Sequence, residues 1–131
     1  MQSRILFISG RPEDARRLVE MLDALPIQVE HVNSVRKAAI HLRQVNYDVI
    51  LTEASLPDGG WMDVLHLVRE SSHEPEVIVT DPQADARFWA EALNLGAYDL
   101  LAQPFYAPEV RRILYNACTR PSAQPLAMTA I

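Results

Sequence analysis

Five times along this chain a short apolar, β-rich run gives way to a segment whose apolar residues recur at helical spacing. Consecutive strands that lie parallel in one sheet need a long crossover between them, and a helix supplies it. The alternation therefore predicts a parallel sheet covered by helices on both faces. The strand segments fall at 4–8, 28–32, 48–52, 76–80 and 98–102. Ile5-Leu6-Phe7-Ile8, Val49-Ile50-Leu51 and Val77-Ile78-Val79 are continuously apolar, as strands buried on both faces should be, and belong in the middle of the sheet. Gln28-Val29-Glu30-His31-Val32 alternates instead, which suits an edge strand with one wet face.

Each helical segment shows one apolar stripe: Ala15, Leu18, Leu22 and Leu25, then Val35, Ala38, Ala39, Leu42 and Val45. Trp61, Val64, Leu65 and Val68 mark a third helix, Ala86, Trp89, Ala90 and Leu93 a fourth, and Val110, Ile113, Leu114 and Ala117 a fifth. The punctuation agrees: Pro12 and Pro108 sit where helices open, Ser34 can cap the second, and Gly96 falls just past the fourth. With 131 residues, 49% of them hydrophobic, one core is expected, in a single domain over 1–120. Residues 121–131, uncharged and without helical period, read as a tail or the start of a linker.

A formal net charge of −5 argues against direct nucleic-acid binding, which needs a basic face to neutralise phosphates. Cys118 is the single cysteine, so no internal disulfide can form, and no apolar run suggests a signal peptide or membrane span; a cytoplasmic protein is expected. Of the 12 basic residues only Lys37 is lysine.

In an open parallel sheet, ligands and chemistry gather at the carboxyl ends of the strands, where strand order reverses. Those ends carry Ser9-Gly10-Arg11, Glu53-Ala54-Ser55, Thr80-Asp81 and Gln103-Pro104, a thin set for catalysis with no nucleophile and base in evident partnership. The loop Leu56-Pro57-Asp58-Gly59-Gly60 has neither a dinucleotide fingerprint nor a P-loop Gly-Lys pair.

Tyr47-Asp48-Val49-Ile50-Leu51-Thr52-Glu53 followed by Leu56-Pro57 is similar to the third strand and loop of the receiver domains of bacterial two-component response regulators. Leu95-Gly96-Ala97-Tyr98-Asp99-Leu100-Leu101-Ala102-Gln103-Pro104-Phe105 resembles that family's fifth-strand motif, which normally ends Lys-Pro-Phe, and Val77-Ile78-Val79-Thr80 its fourth strand with the switch Thr. The resemblance runs from Arg4 to about Arg120. It implies a CheY-like, flavodoxin-like α/β fold: a five-stranded parallel sheet in the order 2-1-3-4-5, five helices on both faces, and a cis bond before Pro104.

It also implies a chemistry against which each position can be read. Receivers take a phosphoryl group onto the Asp that ends the third strand, with a divalent cation and a Lys neutralising the phosphate. Here Ser9 and Gly10 stand for the cation-binding acidic pair, so magnesium binding is expected to be weak or absent and no cofactor is expected. Glu53 stands for the acceptor, one methylene too long for an in-line attack that tolerates little misplacement. Gln103 stands for the Lys and Leu100 for the aromatic switch; Thr80 alone is retained. Glu53 reads as a mimic of the phosphorylated state or, preferably, as a polar residue paired with Arg11 or solvent. Arg11 reads equally as its ion-pair partner or as a solvated residue at a helix start, and Gln103 as a hydrogen-bond donor to loop backbone.

His31, His41, His66 and His73 are scattered and read as surface residues, Cys118 as a packed thiol, and at least one of Trp61, Phe88 and Trp89 as exposed. In receivers the face of the fourth helix, fifth strand and fifth helix commonly mediates dimerisation; here it carries Arg87, Glu91, Asp99, Glu109, Arg111 and Arg112, a mixture suited to symmetric ion pairing. The expectation is a non-enzymatic pseudo-receiver in a phosphorelay, acting through a signalling protein, histidine kinase or output domain, or by homodimerising. Alternatives are a regulator phosphorylated on Glu53 or another acceptor, and a small-molecule-binding flavodoxin-like domain.

Overall fold

A computed structural model describes residues 2–119, so the expected tail lies outside the described residues. Five parallel strands form one sheet: β1 (Ser3–Ile8), β2 (Ile27–Val32), β3 (Val49–Glu53), β4 (Glu76–Asp81) and β5 (Asp99–Ala102). Their order is β2-β1-β3-β4-β5, as expected, with the alternating strand at an edge. The helices are α1 (Pro12–Met21), α2 (Val35–Gln44), α3 (Trp61–Arg69), α4 (Ala86–Leu95) and α5 (Ala107–Thr119).

Successive side chains of a strand point to opposite faces, and the central strands fill two cores this way. Leu6, Ile8, Ile50, Val77, Val79 and Leu100 pack beneath α2, α3 and α4. Ile5, Phe7, Val49, Leu51, Ile78 and Leu101 pack beneath α1 and α5. Ser34 caps α2 through Lys37 N, Asp85 caps α4 through Phe88 N, and Gly96 ends α4 at φ +116, a conformation other residues rarely adopt.

Three details depart from the sequence reading. The apolar stripe expected on α4 is turned outward: Ala86, Trp89 and Ala90 are exposed, and Phe88 and Ala92 face the core instead. The third strand runs over 49–53: Glu53 pairs with Thr80 of β4, while Asp48, whose N–H donates to Arg4 O and whose carbonyl accepts Glu76 N–H, also takes Arg4 N–H on its carboxylate. Beyond it, Ser55–Leu56 and Gly59–Gly60 form a two-residue antiparallel ladder around Pro57-Asp58, which hydrophobic periodicity could not reveal.

The edge strand is fastened by polar groups. Fully buried Tyr47 donates its hydroxyl to Glu30 Oε1 at 2.5 Å, and Arg4 pairs with Glu30 Oε2 at 2.5 Å. The Tyr47 hydrogen bond, then that of Arg4 and its charge, outweigh desolvation and hold the Glu30 carboxyl below its ordinary 4.5. Burial above all pushes the Tyr47 phenol up. Because the folded value of Glu30 is lowered, its contribution to stability is full above about pH 4.5 and is lost as pH falls through the lowered value. Tyr47→Phe is expected to cost about 1–2 kcal/mol in urea unfolding at neutral pH. Glu30→Gln should flatten the loss of urea midpoint between about pH 7 and pH 3.

Candidate functional site

The carboxyl ends of β1, β3 and β4 meet at one edge of the sheet. Thr52 is the last β3 residue paired with β1, opposite Ile8, and Glu53 pairs with Thr80, so the ladders on both sides fix where the Glu53 side chain leaves the core. Its carboxylate turns toward the end of β1. Oε2 accepts the buried Ser9 hydroxyl at 2.6 Å, and Oε1 accepts Gly10 N–H at 3.0 Å. Ser9 Oγ in turn accepts Arg11 N–H at 3.0 Å, and the Ser9 carbonyl accepts from His31 Nε2 at 2.8 Å. Glu53 is thus fastened by two donors, a short hydroxyl bond and a backbone amide, both strengthened by its charge.

This arrangement corrects the pairing of Glu53 with Arg11: its partners are Ser9 and Gly10. Arg11 is exposed and makes no ion pair among the described residues, in line with the solvated reading of this residue. His31 is also corrected: it is half-buried, its ring 5.9 Å from that of Phe7, because the end of the edge strand folds over Ser9. His41 is half-buried too, bonded to Lys37 O, whereas His66 and His73 are exposed as expected. Gln103 does not bond loop backbone through its amide nitrogen: Nε2 is buried without a partner among the described residues, and so is Thr80 Oγ1. Leu100 is buried in the core under α4. The Gln103–Pro104 bond is cis.

The donor set for a hard cation is small. Ser9 and Gly10 bring no carboxylate, and no group of three His, Cys, Asp or Glu that could hold a metal occurs among the described residues. Sequence reasoning also passed over Asp58, whose carboxylate accepts Val35 N–H at 2.9 Å and Arg36 N–H at 3.0 Å. It caps α2 from the β3–α3 loop, and those backbone bonds lower its pKa. The turn residues Pro57-Asp58-Gly59 were the only signal.

On the face of α4, β5 and α5, two of the six expected charges are committed inside the molecule. Arg111 Nε donates to Met21 O on α1, and Asp99 accepts from Trp89 Nε1 and Leu100 N. Trp89 is 48% and Tyr106 67% exposed, so the surface is aromatic as well as charged; Trp61 is buried and Phe88 half-buried against the core. Burial pushes the Cys118 thiol up to about 11, that of a packed, unreactive group.

A family profile, the response regulator receiver domain, matches residues 5–115. The chain belongs to this family. The receiver is 24% identical over 117 residues to the response regulator protein PilR of Pseudomonas aeruginosa, covering 88% of this chain and 26% of PilR, and so spans about a quarter of that relative. In fold it is similar to the signal receiver domain ascribed to a LuxO repressor from Vibrio parahaemolyticus, with TM-score 0.84, 20% identity and 92% of each chain covered. It is similar also to the beryllofluoride-activated NtrC4 receiver domain dimer, with TM-score 0.79, 21% identity, 88% of this chain and 95% of that one. Among the described residues no helix is long and apolar enough to cross a membrane.

Ser9→Ala should cost about 1–2 kcal/mol in urea unfolding, because it removes the hydroxyl donated to a charged acceptor. Gly10→Ala keeps the N–H, and its added methyl would meet only Glu53 Oε1 at 4.0 Å, so its unfolding midpoint should match that of the unaltered protein.

Proposed function

We propose that this receiver is a pseudo-receiver whose signalling state is set by protein contact, without phosphoryl transfer to residue 53. Family membership makes it a two-component signalling module; the phosphorylation-independent mode is our reading. The observation that carries it is the engagement of both Glu53 oxygens by Ser9 Oγ and Gly10 N. An acceptor must turn a free oxygen toward the phosphorus, and this one faces the end of β1 instead. Ser9, Gly10 and a committed Glu53 do not suit magnesium, which demands several well-placed oxygens, so we expect weak binding or none. Neutral Gln103 cannot pair with phosphate as a lysine would. Leu100, fixed in the core, offers no aromatic ring to swing on a charge change.

The partner that follows is a protein: a histidine kinase, an output domain or a second copy, met in the cytoplasm. For a homodimer we favour the face of α4, β5 and α5, where Trp89 and Tyr106 supply exposed aromatic area and Arg87, Glu91 and Arg112 the charged rim. The NtrC4 receiver solved as a dimer gives a precedent within the fold. Incubation with acetyl phosphate and magnesium is expected to leave the intact mass unchanged and the oligomeric state by light scattering the same before and after. A phosphoryl group retained at Glu53 would overturn the proposal and favour the phosphorylatable alternative.

One observation supports a second reading, a small-molecule site in the same crevice. Thr80 Oγ1 and Gln103 Nε2 are buried polar atoms without partners among the described residues, and such atoms in folded proteins commonly meet a ligand or water. A thermal-shift screen across nucleotides and signalling metabolites tests it: a hit lost in Gln103→Leu supports a ligand site, and no hit counts against one.

A further inference from the structure

Helix α2 carries Arg36, Lys37 and Arg43 and no carboxylate, in a chain of formal net charge −5. Arg36, Ile40 and Arg43 are spaced by four and then three residues, so they form one stripe about two turns long, with Lys37 at its flank. All three cations are exposed, and none takes part in the two ion pairs among the described residues, Arg4–Glu30 and Arg17–Asp14. Asp58, which lies at the start of α2, spends its oxygens on the backbone N–H groups of Val35 and Arg36. Between the two guanidinium groups Ile40 is 41% exposed. A cleft of about 390 Å³ opens beside the stripe, between α2 and α3, with Ala39, Leu42 and Leu67 as its apolar floor, Arg43 on its α2 wall, and Glu70 among the polar residues on the α3 side, where the occupant must present apolar or neutral groups.

We propose that this stripe and cleft dock an acidic, leucine-bearing helical segment of a partner protein. Carboxylates spaced along two turns of such a helix meet Arg36 and Arg43 in bidentate geometry, and its apolar residues cover Ile40 and enter the cleft. Nucleic acid or an anionic membrane fits less well. Three cations on one helix are few for a polyanion that binds by neutralising many phosphates, and neither uses the apolar floor of the cleft. The surface packs over the β1 side of the sheet, away from β5, and the proposal holds whether or not Glu53 is ever phosphorylated.

The test is a titration of the isotope-labelled protein with a synthetic amidated peptide carrying Leu at helical spacing and Glu between, followed by amide chemical shifts. Shifts should concentrate on α2 and around Leu67. Affinity should fall about tenfold as salt shortens the Debye length from about 30 Å to about 8 Å. Arg36→Glu combined with Arg43→Glu should abolish binding, and Ile40→Ser should weaken it severalfold, both with unchanged circular dichroism. Shifts absent or centred elsewhere would overturn the proposal. So would equal binding of a peptide with Ser for every Leu, of a single-stranded oligonucleotide, or of phosphatidylglycerol vesicles. Self-association without peptide that the double charge reversal abolishes would assign the surface to a second copy and overturn it as well.

Discussion

The core of this receiver ends between Thr52 and Glu53, and the rest of the site follows from that boundary. Thr52 is fully buried, its hydroxyl spent on the Glu53 carbonyl, and β3 is held on one side by β1 and on the other by β4. A strand paired on both sides cannot slide by one residue without turning every side chain to the wrong core, so residue 53 is fixed in place by the packing of 49–51 far more than by its own contacts. Whatever side chain stands there must find its partners within reach of that fixed point. For a carboxylate with one methylene more than aspartate, the donors in reach are the hydroxyl and the amide at the end of β1.

Those two donors change the electrostatics of the strand ends. A cluster of carboxylates at such an edge repels itself and calls for a cation to neutralise it. A single carboxylate bonded by a hydroxyl and a backbone N–H is satisfied by neutral groups, and its charge needs no counter-ion. Arg11 therefore has nothing to compensate, consistent with its pointing to solvent. A strand end without an acidic pair at Ser9-Gly10 and with a neutral Gln103 carries fewer charges of either sign, and the longer Glu53 side chain reaches the two neutral donors at the end of β1.

The fold was legible because burial on both faces leaves a strong mark: three continuous apolar runs placed β1, β3 and β4 in the centre, and alternation placed β2 at the edge. Strand ends were less legible, since Asp48 and Glu53 differ in their ladders only through tertiary hydrogen bonds. In the site, the identities of the substituted residues could be read directly, but not where their side chains turn. Glu53 to Arg11 is the pairing that opposite charges at neighbouring strand ends suggest; the observed pairing to Ser9 depends on where the end of β1 turns its hydroxyl, which periodicity does not encode. His31 and Asp58 escaped notice for the same reason, both acting across elements, on Ser9 O and on the start of α2.

Asp58 also connects the strand-end site to α2. The loop leaving Glu53 runs through Ala54, whose carbonyl accepts Trp61 N–H at the start of α3, and its tip is tied by the Asp58 carboxylate to the first amides of α2. A carboxylate at a helix N-terminus meets both free N–H groups and the positive end of the helix dipole, so the tie is favoured twice over. Protonation would break it, but the lowered pKa keeps the carboxyl ionised throughout the neutral range. Helix α2 is therefore joined to the residue next to Glu53 through a few hydrogen-bonded steps, and a partner docked as proposed would act on that connection. Under the proposed phosphorylation-independent mode, that connection gives the receiver fold a use that needs no phosphoryl group at the strand end.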